Sequence, residues 1–250
     1  SIESSGISLA CAIVDINNDK KRDIIVINDF GKDELFIQSD KMNFKNNAKQ
    51  YQFDDAGSGM NLNIIDFNND QYWDIYITMI DMFNKQLSFQ LPLDTTTVPF
   101  SEYILKTSTF IIGNQLYFGG PNQFTRKTNQ IIEPGQKGWG WGTSFFDYNN
   151  NGLDDIYITN GHFLPQQFLK KQVSKDSERN ILMINQNNKL LYSQSTSDES
   201  RNILNSRSVS ATDLNNDGKL ELVVRTYNQV IVFKNISTTE NKWIKIKLNG

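Results

Sequence analysis

The 250-residue chain predicts an all-β fold, a β-propeller whose blades are short antiparallel strands. Three observations carry that prediction. A nine-residue acidic phrase occurs four times, as "DINNDKKRD" from Asp15, "DFNNDQYWD" from Asp66, "DYNNNGLDD" from Asp147 and "DLNNDGKLE" from Asp213. Each copy is entered by a run bearing glycine or other small residues and left by a β-branched run. Helical periodicity is almost absent, whereas apolar runs of four to eight residues between turn-rich joints recur along the chain.

Taken in order, "GISLACAIV" enters the first phrase, "DIIVIND" leaves it, and "DELFIQS" at 33–39 supplies a further strand. "GSGMNLNII" and "DIYITMI" flank the second phrase, with "NQLYFGG" at 114–120 beyond. "GWGWGTSFF" and "DIYITNG" flank the third, followed by "NILMINQ" at 180–186. "SRSVSAT" and "LELVVRT" flank the fourth, followed by "QVIVFKN" at 229–235. The phrases are spaced by 51, 81 and 66 residues, and a blade needs roughly 40 to 50. The excess places insertions at about 81–110 and 161–179. In the second, Pro165 suits the first position of a short helix, with Phe168 and Leu169 on its apolar side. Propeller repeats are expected over 1–240.

Composition excludes several classes. No run approaches the roughly 18 consecutive apolar residues of a membrane span, and residues 1–10 lack the basic start and apolar run of a signal peptide. A formal charge of −3 and a pI near 5.3 give no basic field for nucleic acid, so "KKR" at 20–22 and "LKKQVSK" at 169–175 read as solvated surface. The one cysteine, Cys11, sits in an apolar run and reads as a buried, inert thiol.

The phrase has the chemistry of a hard-cation loop. Positions 1, 3, 5 and 9 carry Asp15, Asn17, Asp19 and Asp23; Asp66, Asn68, Asp70 and Asp74; Asp147, Asn149, Asn151 and Asp155; and Asp213, Asn215, Asp217 and Glu221. All are oxygen donors. Calcium takes six to eight oxygens, which alternating side chains in a tight loop supply together with a backbone carbonyl at position 7, from Lys21, Tyr72, Leu153 and Lys219. Up to four Ca2+ ions are expected. An EF-hand opens in the same way but closes on a glutamate at position 12 between helices, whereas these loops run straight into strand. The plainer alternative is a set of Asn- and Asp-rich turns, to which four copies in fixed register run counter. Eleven of the chain's 28 acidic residues stand at these positions, and four divalent ions would move the formal charge from −3 by +8 to +5. The fourth loop, with three carboxylates and Gly218, is expected to bind best; the third, with neutral Asn149 and Asn151, least.

These phrases resemble the calcium loops of FG-GAP and VCBS-type repeats, similar to those of integrin α propellers. The stretch "GWGWGTSFFDYNNNGLDDIYITNGH" at 138–162 and the closing "NKWIKIKLNG" at 241–250 resemble the cartilage acidic protein family, whose propeller is followed by an ASPIC/UnbV domain. The resemblance implies that 241–250 starts such a segment and that the chain is part of a larger propeller. It also implies a calcium-binding module, secreted or at the cell surface, that contacts an extracellular protein or glycan and has no catalytic role. The chain departs from the pattern at position 6, where glycine is replaced by Lys20 in the first loop and Gln71 in the second; a side chain at positive φ there costs energy, so these two loops are either strained or bind metal in a relaxed form.

Two further classes stay open. A carbohydrate-binding or carbohydrate-active protein needs a stacking platform or paired carboxylates, for which Trp139, Trp141, Asp33-Glu34 and Asp54-Asp55 are available. The glycines of "GWGWG" equally suit a tight blade entry. His162, the only histidine, reads as a loop residue, and no G-x-S-x-G elbow exists. A structural subunit that self-associates through exposed blade edges is the other class. Asn235-Ile236-Ser237 is a glycosylation sequon.

Overall fold

The computed structural model describes residues 6–80, 111, 113–133, 138–161, 179–193, 204–239, 241–244, 246 and 248. Both expected insertions fall almost wholly outside these residues, and with them the helix at Pro165 and the placement of His162. Apart from one helical turn, the regular structure of the described residues is all strand. The first blade is β1 (Ile7–Val14), β2 (Asp23–Lys32), β3 (Glu34–Asp40) and β4 (Asn43–Asn46). The second is β5 (Ala56–Ile65), β6 (Asp74–Met79), β7 (Gln115–Phe118) and β8 (Thr125–Arg126). After one helical turn, α1 (Thr128–Ile131), the third is β9 (Gly140–Phe146), β10 (Asp155–Asn160), β11 (Ile181–Asn185) and β12 (Leu190–Tyr192). The fourth is β13 (Ser206–Thr212), β14 (Glu221–Thr226) and β15 (Val230–Phe233).

Every blade is an antiparallel meander in chain order. Its first strand packs against the first strand of the next, β1 on β5, β5 on β9 and β9 on β13, so these four strands are the innermost. Close approach there explains the small-residue entries. A Cβ on Gly142 of β9 would lie 3.0 Å from the Ser208 Cα of β13, leaving no room for a side chain. Blades are also stitched at one rim, where the end of β2 pairs with the start of β5 (Asp29↔Ser58, Lys32↔Ala56) and Ile80 bridges to Trp139.

The core is three layers between blades, produced by the period-two alternation of the second strands. In β6, Ile75, Ile77 and Met79 face the first blade with Ile25, Ile27, Leu35 and Phe53, while Tyr76 faces the third. In β10, Ile156 and Ile158 join Phe67 and Leu116 of the second blade, while Tyr157 packs with Leu222 and Val224 of the fourth. The β-branched runs are therefore buried on both faces, which is why they read as continuous apolar stretches. Among the described residues, the two terminal faces have no such cover. Ile7, Leu9 and Ile13 of β1 and Val230 and Val232 of β15 are exposed. Cys11 shares that open face of β1 and is exposed, contrary to the expected buried thiol: its apolar neighbours in sequence alternate on a face that no blade packs against among the described residues.

Candidate metal centre

Each acidic phrase is the hairpin between the first and second strands of its blade, so all four loops lie on one rim. They fold by the same hydrogen bonds. The position-5 N–H points between two side-chain oxygens, those of positions 1 and 3. In the first loop the Asp19 N–H donates to Asp15 Oδ1 at 3.0 Å and Asn17 Oδ1 at 3.1 Å. Asp70 (to Asp66 and Asn68), Asn151 (to Asp147 and Asn149) and Asp217 (to Asp213 and Asn215) repeat the arrangement. The position-6 N–H donates to the other oxygen of position 1, from Lys20, Gln71, Gly152 and Gly218. The position-7 N–H donates to the position-5 side chain, from Lys21, Tyr72, Leu153 and Lys219. Oxygens of positions 1, 3 and 5 are thus drawn onto one short arc of backbone.

This path requires two left-handed residues per loop. Position 6 has φ of 68° at Lys20, 71° at Gln71, 83° at Gly152 and 82° at Gly218, so the strain expected of the two glycine-free loops is present. Position 4 is the second, with φ from 57° to 61° at Asn18, Asn69, Asn150 and Asn216. Asparagine tolerates that region better than other side chains, which accounts for its presence at position 4 in every copy.

Position 9 differs from the other three. Asp23, Asp74 and Asp155 are fully buried at the start of the second strand. Each accepts the N–H of position 2 (Ile16, Phe67, Tyr148) with one oxygen. The other oxygen accepts an N–H at the third strand, from Gln38, Gly119 and Asn185. The carboxylate therefore ties the loop to the sheet. Burial pushes Asp74 up to about 6 and Asp155 up to about 7, with Asp70 and Asp147 adding like charge; Asp23 is raised for the same reasons. Glu221 reaches Leu214 N–H and Asn215 Nδ2 and, among the described residues, makes no bond of this kind to a third strand.

The donor set suits a hard cation in kind, being all oxygen with Asn amides completing it. Among the described residues no group of three or more Asp, Glu, His and Cys side chains converges to hold a metal by itself, so a bound cation would also need the Asn oxygens and the position-7 carbonyls. In the first loop Lys21 Nζ lies 3.5 Å from Asp19 and would compete with a cation for that carboxylate. In the fourth, Lys219 Nζ donates to the Ser237 carbonyl, leaving Asp217 without that competitor.

Other singled-out residues are held by structure. At the opposite rim Asp33 and Asp55 come together: the Asp33 N–H donates to the Asp55 carbonyl at 2.9 Å and Tyr117 Oη to Asp55 Oδ2 at 2.6 Å, while Lys32 pairs with Asp54. Burial keeps the Asp33 carboxyl well above the usual range. Trp141 donates to the Gly161 carbonyl and carries the Arg207 guanidinium 4.7 Å over its ring. The sequon is occupied internally, since Asn235 is buried and its Nδ2 donates to the Tyr148 carbonyl at 2.8 Å. Residues 241–244 form no strand; Trp243 lies against Gly218 instead.

The fold and the loops define a β-propeller segment. Residues 15–77 match the FG-GAP-like repeat family, a span running from the first acidic loop through the second and into β6. No curated protein matches the chain.

Proposed function

We propose that this chain is a calcium-binding propeller module, secreted or at the cell surface, that makes contacts with an extracellular protein or glycan. The observation that carries the reading is the identical hydrogen-bond scheme of four loops, which gathers the oxygens of positions 1, 3 and 5 at one rim. Residues 15–77, matching an FG-GAP-like repeat, support a propeller used for contact. When bound, the ion supplies positive charge among carboxylates that otherwise repel one another. Positions 1, 3, 5, 7 and 9 would hold it, with position 9 also tying the loop to the sheet in the first three loops. The two tryptophan-bearing stretches at 138–162 and 241–250 support the finer affiliation with the ASPIC/UnbV-bearing family. Thermal melts in excess calcium and in EDTA test the central claim. One site filled at 100 times its dissociation constant contributes about 2.7 kcal/mol, or about 5 °C or more for a chain of this size. Coincident melts would remove it. A structural subunit that self-associates is the second reading, favoured by the exposed apolar faces of β1 and β15.

A further inference from the structure

Neighbouring loops touch, and they do so in pairs. Asn18, at position 4 of the first loop, donates through Nδ2 to the carbonyl of Gln71, at position 6 of the second, at 3.2 Å. Asn150 of the third loop donates in the same way to the carbonyl of Gly218 in the fourth, at 3.1 Å. The same two positions are linked across 53 and 68 residues of chain. Asn69, the equivalent donor of the second loop, makes no such bond to Gly152 among the described residues.

The receiving residue is the left-handed one. Gln71 is held at φ 71° by its own N–H on Asp66 and by its carbonyl under Asn18, so the neighbour braces the conformation that its side chain disfavours. The donor is itself left-handed, between the position-3 and position-5 side chains of its own loop. Ordering one loop therefore orders the hydrogen-bond partner of the next. From this geometry we infer that the loops bind calcium as two coupled pairs, first with second and third with fourth, with the asparagine at position 4 as the coupling residue. The inference rests on the calcium reading above. Ordering the donor loop lowers the conformational cost of filling its neighbour, and linkage makes the effect reciprocal. One net hydrogen bond corresponds to a factor of about 2 to 10 in affinity. The third and fourth loops carry a second tie: Ser237 donates to the Tyr148 carbonyl while its own carbonyl receives Lys219.

The test is a calcium titration of the whole chain followed at the position-6 amides, Lys20, Gln71, Gly152 and Gly218, by two-dimensional NMR. Asp15→Asn is expected to raise the calcium needed at Gln71 by about 2- to 10-fold and leave Gly152 unmoved. Asn18→Gly keeps the positive φ while removing the donor; it should weaken the second loop by a similar factor and make it insensitive to Asp15→Asn. Asn150→Gly repeats the test at Gly218, and Asn69→Gly should leave Gly152 unchanged. Four amides that respond independently, with Asn18→Gly and Asn150→Gly silent, would overturn the coupling and spare the calcium reading. If no amide responds to calcium, both fall.

Discussion

At the scale of single residues, the same glycine has two different duties in the third and fourth loops. Gly152 is left-handed with no atom within 4 Å of the place a Cβ would take, so only backbone conformation requires it. Gly218 is left-handed and also covered by the Trp243 ring, with which a Cβ would collide. Gly152→Ala should therefore cost about 1 kcal/mol, while Gly218→Ala should cost more and displace the half-exposed Trp243 ring. Urea unfolding of both variants, with tryptophan fluorescence of Gly218→Ala, checks this; equal destabilisation would mean that the indole does not pack there. The glycine at position 6 was legible in the sequence, as was the strain where Lys20 and Gln71 replace it. Position 4 was not recognised, although its signal, an asparagine in all four copies, was on view: beside so many oxygen donors a residue selected for its backbone looks like another ligand.

At the scale of elements, the second and third strands of each repeat were readable because they are β-branched and apolar, and the first because it enters an acidic phrase that recurs four times. The fourth strands were not. β4 is "NFKN", β8 is "TR" and β12 is "LLY", short outer strands on which few side chains are buried and no alternation can develop. The role of position 9 was equally hidden, since its third-strand partners Gln38, Gly119 and Asn185 stand 15 to 45 residues away and offer only backbone. That tie has a consequence for pH. A carboxyl raised from 3.8 to about 6 in Asp74, or about 7 in Asp155, keeps its proton in the fold where the unfolded chain has lost it. The linked stability is fully present below pH 3.8 and is lost as pH rises through 6 to 7. Metal-free protein should thus show a higher urea midpoint at pH 5 than at pH 7.5, and Asp155→Asn should reduce the difference. Excess calcium, by holding the carboxylates ionised, should remove or reverse it. A metal-free midpoint that rises with pH would contradict the assigned burial.

At the scale of the whole molecule, the propeller was legible from repeat spacing, while the open faces were not, because alternation alone does not say which face a neighbour will cover. Ile7, Leu9 and Ile13 on β1 and Val230 and Val232 on β15 leave apolar surface in water. Sedimentation of the chain over a range of concentrations should show association, and Ile13→Lys should weaken it by about tenfold or more without lowering the melting temperature. A chain that stays monomeric at the highest concentration would reject the self-association reading. The rims differ as sharply as the faces. All four acidic hairpins leave one rim, whereas the long connections from β6 to β7 and from β10 to β11 start and end at the other. The eleven carboxylates at the ligand positions are thus gathered at one rim. Calcium entering those loops would set +8 against eleven carboxylates at that rim alone, so loading would remove most of its negative charge and weaken its repulsion of an anionic surface.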